Sequence, residues 1–229
     1  MFSNRTSAGK LLGERLSHHL LQKPISNDLL VVGLPRGGIP VAAEVARELH
    51  CPLELIVSKK LSYPYQPEYA LGAVTSDGVV VLSPEIPTDR RWQSYVEHER
   101  FILLEHTRST ELQYFDLAGC KRVSFRGKTI IIVDDGIATG MTAMAAAKSA
   151  RERGAAMVIL AVPVISIEAM DTLRSYCDDI VALEVPAEFR AVGAFYKDFS
   201  QTTSDEVINC LRDASTFVPP PNNSGTVHS

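Results

Sequence analysis

Five short apolar runs that alternate with helical patterns constrain the fold more than any other feature of this chain. The runs cover residues 29–33, 53–57, 129–133, 157–162 and 180–185, and helical spacing is found at 8–21, 140–152 and 167–176, with Ser7 as the expected N-cap of the first helix. Strands that are apolar along most of their length are covered on both faces, and intervening helices let successive strands run parallel. The sequence therefore predicts an α/β fold with a parallel five-stranded core sheet flanked by helices.

The segments outside these strands and helices predict an insertion, a C-terminal extension and a tail. We assign residues 1–214 to one domain, with an insertion at 61–126 and a small C-terminal extension at 186–214. Within the insertion, Asp77-Gly78 lies between apolar residues as in a β-hairpin turn, and residues 90–115 predict a long charged helix. So long an insertion is more often a lid or binding loop than filler. Residues 215–229 are rich in Pro, Ser and Asn and are predicted to be disordered.

Charge and hydropathy argue against several classes of function. The chain has 23 Lys and Arg against 27 Asp and Glu, a net charge of −4, so nucleic-acid binding is not expected. The longest apolar stretches are about half of the ~20 residues that a membrane helix needs, and the N-terminus lacks a signal-peptide pattern. Four widely spaced cysteines without a CxxC pair indicate free thiols. We expect a cytoplasmic protein that does not bind membranes.

The strand predicted at 129–133 ends in two adjacent carboxylates, and a Gly- and Thr-containing loop then leads into a helix. Carboxylates only accept hydrogen bonds, so Asp134 and Asp135 suit the vicinal hydroxyls of a ribose. Free backbone N–H groups at a helix N-terminus bind phosphate without a lysine. The sequence predicts a sugar-phosphate site whose phosphate cradle consists of Ala138, Thr139, Gly140, Met141 and Thr142.

Simpler and competing interpretations of these motifs fit the sequence less well. An isolated pair of aspartates more often just ends a strand and caps a helix, but the complete string IIIVDDGIATGMT outweighs that reading. Gly127-Lys128-Thr129 lacks the earlier glycine of a phosphate-binding loop and precedes its strand. The chain has no GxSxG elbow, HExxH pair or Cys and His cluster, so hydrolase and zinc chemistry are unsupported.

The string IIIVDDGIATGMT closely resembles the phosphoribosyl-pyrophosphate signature of the type I phosphoribosyltransferases: a hydrophobic strand, two acidic residues, two variable residues, a small residue, Thr-Gly, a variable residue and Thr. PEYALGAV at 67–74 and AVGAFYKDFSQTTSDEV at 191–207 extend the resemblance to a bacterial branch that carries the VDDGIATG form. The resemblance covers roughly residues 2–211. It implies the family's α/β fold with a small hood and a lid.

The resemblance also implies where pyrophosphate binds. The family has a pyrophosphate loop after its first core strand, often with a non-proline cis peptide, and LPRGG occupies that place with Arg36, Gly37 and Gly38. Many members carry a basic pair after the second core strand. Here that pair is Lys59 and Lys60, of which Lys60 is the preferred ligand and Lys59 the reserve. An ordinary turn and two solvated lysines are the alternative readings.

The family's catalytic loop lies between the second and third core strands, so the resemblance makes the 61–126 insertion the lid. Arg108 is the expected catalytic cation, with Arg100 and His106 as further candidates, although each could instead be a solvated helix charge. A hood formed by the terminal segments selects the base in the family. Phe189 and Tyr196, together with Glu188 and Phe195, are the residues expected to contact a ring, or else to pack the C-terminal extension.

The activity that the resemblance implies is transfer of a phosphoribosyl group from 5-phosphoribosyl 1-pyrophosphate to a nitrogenous acceptor, such as a nucleobase, with Mg²⁺ carried mainly by the substrate. The 6-oxopurine members usually have a third Asp where Ala138 stands, which weakens the case for hypoxanthine or guanine. A non-catalytic regulator that keeps the same site is the main alternative, and a phosphoesterase is a third reading. A homodimer remains an option.

Overall fold

The computed structural model describes residues 1–23, 28–64, 66–84, 86 and 90–217, with the backbone alone at 66–69. Its elements in chain order are α1 (Arg5–Leu21), β1 (Leu29–Gly33), α2 (Gly38–Glu48), β2 (Leu53–Leu55), β3 (Ser58–Tyr63), β4 (Gln66–Thr75), β5 (Val80–Leu82), α3 (Arg90–Ala118), β6 (Thr129–Val133), α4 (Met141–Glu152), β7 (Met157–Val164), α5 (Ile167–Leu173), β8 (Asp179–Glu184), a 3-10 helix (Val192–Phe195) and α6 (Ser204–Ala214). None of the helices in this described part is long and apolar enough to cross a membrane.

The core is a five-stranded sheet in the order β2-β1-β6-β7-β8, and every neighbouring pair is parallel. The predicted α/β fold is therefore confirmed. Alternate side chains of β6 enter opposite hydrophobic clusters, with Ile131 and Val133 on one face and Ile130 and Ile132 on the other. All four are fully buried, and truncating a side chain of this kind to alanine typically costs about 2–5 kcal/mol.

Helix α1 begins earlier than its leucine pattern predicts. Asn4 is the N-cap: its side chain accepts the Ser7 N–H, and Ser7 Oγ accepts the Asn4 N–H in return. The predicted Ser7 cap is wrong because this reciprocal capping box extends the helix by one turn. Farther along, a Cβ on Gly9 would lie 2.8 Å from the Val41 carbonyl, so the glycine lets α1 approach α2 closely. Arg5 consequently lies in the first turn of a firmly packed helix.

The 61–126 insertion is built on a second, antiparallel sheet. This sheet has the order β3-β4-β5, packs against α3 and α4, and turns at Asp77-Gly78, where Gly78 has a φ of +92°. The predicted hairpin and the long helix are both confirmed. Strand β3 was not predicted, because residues 58–63 lack a clear apolar pattern.

The chain still packs against the core at Phe217, three residues after the end of α6. Phe217 is buried in the main hydrophobic cluster, and the Arg47 guanidinium lies 4.7 Å from the centre of its ring. The rest of the predicted tail, residues 218–229, lies outside the described residues.

Candidate active site at the carboxyl edge of the sheet

The predicted phosphate cradle lies where β6 leads into α4. Gly140 precedes the helix with a φ of +80°, a conformation that strongly favours glycine, and it makes no side-chain cap. Ala138 and Thr139 are exposed. The first N–H groups of a helix have no partner inside the helix, and here no N-cap side chain takes them. The start of α4 therefore offers backbone donors and the positive end of a helix dipole to an anion.

The two aspartates lie at the edge of the sheet beside this cradle. The Asp135 N–H donates to Asp134 Oδ1 at 2.9 Å. Burial and the neighbouring Asp135 raise the pKa of Asp134 well above its usual range. Burial also raises the pKa of Asp135, although Arg5 opposes that shift. Burial and mutual repulsion therefore disfavour two negative charges on the pair.

Arg5 is a site residue that sequence reasoning missed. Its Nε lies 2.7 Å from Asp135 Oδ2, its Nη1 donates to the Ser200 carbonyl at 2.6 Å, and its guanidinium lies 3.9 Å from the centre of the Phe199 ring. No local pattern distinguishes Arg5 from other arginines at helix starts, because its partners are 130 to 195 residues away in sequence. Only the fold brings these groups together.

The hood consists here of residues 1–4 and 186–200. The Tyr196 hydroxyl donates to the Asp135 carbonyl at 2.5 Å, and its buried ring packs against Phe2 and Phe199 at centroid distances of 5.4 and 5.1 Å. Tyr196 thus holds the aspartate loop instead of offering an open ring face. Phe189, the other predicted ring contact, packs 5.6 Å from Phe195 and is partly exposed.

The LPRGG loop packs directly against the aspartates. The peptide bond between Pro35 and Arg36 is cis, the geometry that the family often has in this loop. A Cβ on Gly37 would lie 2.1 Å from Asp135 Oδ2, and one on Gly38 would lie 2.9 Å from the Asp134 Cα. Both glycines are therefore needed for close approach, Gly37 as the N-cap of α2 and Gly38 as its first residue.

On its other side, the loop borders a cavity of about 560 Å³. Two cations, Arg36 and Lys59, line it together with the imidazole of His106, and one carboxylate, that of Asp205 in α6, lies in the same wall. Lys59 Nζ lies 3.1 Å from Nε2 of His106, and Nδ1 of the same imidazole lies 3.2 Å from Thr110 Oγ1. A lysine ammonium can only donate, so this contact favours the His106 tautomer with its proton on Nδ1.

The other predicted cations lie elsewhere. Lys60 is exposed and pairs with Ala73 in the antiparallel sheet, and because side chains alternate along a strand it points away from the face that carries Lys59. Arg108 donates from Nε to the Ser76 carbonyl at 3.0 Å. Arg100 borders a different surface hollow, beside Val80 and Leu82. Among the predicted pyrophosphate contacts, the cavity therefore brings together Arg36, Lys59 and His106.

Two buried glutamates connect the insertion to the core. Glu111 Oε2 accepts the Val57 N–H at 3.0 Å and the Ser76 hydroxyl, and Glu111 Oε1 pairs with Arg122. Glu54 accepts the Val123 N–H at 2.7 Å, but its other oxygen is buried without a hydrogen bond. Burial raises the pKa of Glu54 to about 7. These contacts fasten both ends of the insertion to the core.

Within the part of the chain that the structure describes, no cluster of three or more His, Cys, Asp or Glu could hold a metal ion.

Comparison with known proteins agrees with this architecture. Residues 5–194 match the family model described as a phosphoribosyl transferase domain, so the chain belongs to that family. It is 42% identical over 215 residues to the Mycobacterium tuberculosis protein named "Putative phosphoribosyl transferase Rv0571c" and, in another strain, to MT0597. That alignment covers 92% of this chain but 46% of each relative, so the chain spans about half the length of these proteins.

A solved structure is similar over nearly its whole length. The crystal structure of TT1426 from Thermus thermophilus has 37% sequence identity and a TM-score of 0.77, covering 93% of this chain and 98% of that one. The family assignment and the predicted type I phosphoribosyltransferase fold, with its parallel five-stranded sheet, are thus confirmed.

Proposed function

We propose that the protein is a phosphoribosyltransferase that uses the magnesium chelate of 5-phosphoribosyl 1-pyrophosphate and transfers the phosphoribosyl group to a nitrogenous acceptor. One observation carries the proposal. The open N-terminus of α4 follows the Asp134–Asp135 pair in the chain, that pair packs against the LPRGG loop, and the cavity with its cations borders the same loop. These are the donors, acceptors and positive charges that a phosphate, a ribose and a pyrophosphate require, in that order along one molecule.

Each part of the donor substrate has a partner in this assignment. The backbone amides at 138–142 hold the 5-phosphate, assisted by the hydroxyls of Thr139 and Thr142, and the two aspartates accept hydrogen bonds from the ribose hydroxyls. Arg36 and Lys59 bind the pyrophosphate, and His106 contacts it from α3. We favour Lys59 over Lys60 because Lys59 lines the cavity. Magnesium arrives on the pyrophosphate oxygens, as part of the substrate.

Catalysis then consists mainly of positioning and charge stabilisation. The bond between the anomeric carbon and the pyrophosphate oxygen breaks, and its electron pair leaves with the pyrophosphate. A nitrogen lone pair of the acceptor forms the new bond to the anomeric carbon through an oxocarbenium-like transition state, and the nitrogen's proton passes to water. Because negative charge grows on the leaving group, the cations of the cavity stabilise the transition state more than the ground state.

A panel of nucleobases and related nitrogen heterocycles tests this function. The full chain, supplied with magnesium and phosphoribosyl pyrophosphate, is expected to release pyrophosphate with at least one of them. Binding of phosphoribosyl pyrophosphate by calorimetry without pyrophosphate release from any acceptor would favour the regulator. Absence of binding at millimolar ligand would reject the site assignment itself.

A further inference from the structure

We propose that Arg5 is a positioning residue for the aspartate pair: its guanidinium pairs with Asp135 and fixes the position of that carboxylate for a ribose hydroxyl. This inference rests on the proposed function, because it concerns how the same site binds the ribose. It extends the active site to the N-terminal turn of α1, which the signature motif does not include.

The contacts of Arg5 leave its guanidinium little freedom. The side chains of Arg5 and Asp135 are only 12% and 14% exposed, and they meet at 2.7 Å. The Ser200 carbonyl accepts a second hydrogen bond from Arg5, while the Phe199 ring covers one face of the guanidinium. A largely buried ion pair requires such complete contacts to offset the desolvation of both charges. The arrangement fixes the position of the positive charge relative to the aspartates.

Attachment of the N-terminal segment does not require this ion pair. The Phe2 N–H donates to the Phe195 carbonyl at 2.7 Å, the Lys197 N–H donates to the Phe2 carbonyl at 2.8 Å, and the Asp198 N–H donates to the Ser3 carbonyl at 3.0 Å. The Asn4 capping box and the close packing of Gly9 on α2 fix the start of α1 independently. The ion pair of Arg5 with Asp135 is therefore not needed to attach the N-terminal segment, and its role can be to position the aspartate loop.

Arg5 also lies where two ligand-binding loops meet. A Cβ on Gly37 would lie 2.1 Å from Asp135 Oδ2 and 3.2 Å from Arg5 Nε. The guanidinium is thus in reach of both the LPRGG loop and the aspartate loop. Since Arg5 occupies Asp135 Oδ2, Oδ1 of the same carboxylate is the atom we assign to the ribose hydroxyl.

The charge of Arg5 has a direct chemical effect. The titratable groups packed around Asp135 are Asp134 on its own loop, Arg5 on α1 and Tyr196 in the hood, while Gly37 contributes none. Burial raises the pKa of both aspartates, and Arg5 is the cation that opposes the shift in each. A carboxylate accepts a hydroxyl hydrogen bond best when it is ionised. Without Arg5, the pair would retain protons to higher pH and bind ribose less well.

The experiment compares Arg5→Gln and Arg5→Lys with Arg15→Gln, which changes an exposed arginine on the same helix. Affinity for magnesium phosphoribosyl pyrophosphate is measured by calorimetry from pH 6 to pH 9, together with the melting temperature. We expect Arg5→Gln to weaken binding about tenfold at pH 7 and to regain part of the loss at higher pH, where the aspartates ionise without help. Arg5→Lys keeps the charge and should follow the wild-type pH profile with a smaller loss. Arg15→Gln should match the wild type throughout.

The possible outcomes separate this inference from the proposed function. If the Arg5→Gln pH profile superimposes on that of the wild type, whatever the change in melting temperature, Arg5 is only structural and the inference is wrong. If Arg5→Gln does not fold, an Arg5→Lys variant that folds but has the pH profile displaced to higher pH would contradict the role of the charge. A wild-type protein that binds no phosphoribosyl pyrophosphate would instead reject the proposed function.

Discussion

The proposed ribose and 5-phosphate half of the candidate site comes from one segment, residues 134–142, whereas the pyrophosphate half comes from three separate places in the chain. In the first half, a strand end, a loop and a helix start follow one another directly. In the second, Arg36 follows β1, Lys59 lies in β3 and His106 lies in α3. The first half is thus a local structure, while the second exists only when the insertion is folded against the core.

The comparison shows that the first half depends on local backbone geometry, whereas the second depends on contacts between the insertion and the core. The contiguous half needs its own backbone geometry, such as the positive φ of Gly140. The assembled half needs the buried contacts of Glu54 and Glu111, which connect the insertion to β2 and to the residue that precedes β3. A change far from the cavity can therefore affect the second half, whereas the first should respond mainly to changes within it and at its Arg5 contact.

The largest effect that we expect concerns Glu54, which connects β2 to the C-terminal end of the insertion. Burial raises its pKa from 4.5 to about 7, so the folded state holds a proton that the unfolded state has already released. The free energy of unfolding should then fall as the pH rises from about 4.5 to 7, by an amount on the order of 3 kcal/mol for this one group. Glu54→Gln should remove that part of the pH dependence.

Chemical denaturation at pH 5 and pH 8 measures the Glu54 effect, with Glu14→Gln as the control because Glu14 is exposed on α1. The wild type and the control should lose more stability between these pH values than Glu54→Gln. Equal losses in all three proteins would mean that Glu54 is ionised when folded and paired with Arg122, whose Nε lies 3.8 Å away.

The next effect concerns the contiguous half. Replacing Asp134 and Asp135 together with asparagine should weaken phosphoribosyl pyrophosphate binding at least tenfold, about 1.4 kcal/mol, because amides do not reproduce the acceptor strength of a carboxylate. The fold should persist because both changes are nearly isosteric, but the melting temperature should fall because Arg5 loses its carboxylate partner. Calorimetry and a melting curve are the measurements. Unchanged affinity would remove the aspartates from the site.

The smallest effect that we expect concerns which of two lysines in the assembled half binds pyrophosphate. Lys59→Ala should weaken binding of inorganic pyrophosphate roughly fivefold, about 1 kcal/mol, whereas Lys60→Ala should leave it nearly unchanged. The two lysines are neighbours in β3 but occupy opposite faces, so each variant is the control for the other. A larger loss from Lys60→Ala would show that Lys60 contributes more to pyrophosphate binding than Lys59, and would restore the sequence-based preference for Lys60.

Much of the fold could be predicted because its signals are local. The apolar strands, the hairpin turn at Asp77-Gly78 and the string from Ile130 to Thr142 are each visible within a short stretch of sequence. Strand β3 was missed because Lys59 and Lys60 interrupt its apolar pattern, and without that strand nothing indicated which lysine faced the cavity. Arg5 could not be found because its partners are distant in sequence, and recognising them needs the folded hood.

The position of the insertion in the sheet has a consequence for how such proteins vary. The chain leaves the core after β2, an edge strand, and returns at β6, two strands inward, so the three central strands β1, β6 and β7 keep their pairing whatever lies between. The entropy of closing a loop grows only with the logarithm of its length, and doubling the length costs about 0.6 kcal/mol. Changes of length in the exposed part of residues 61–126 should therefore cost the core little, whereas Tyr114, Phe115 and Phe125 pack in the core and tie the end of α3 and the returning chain to it. Differences in length among relatives should concentrate in that exposed part, while the strand order and the ribose-binding segment stay the same.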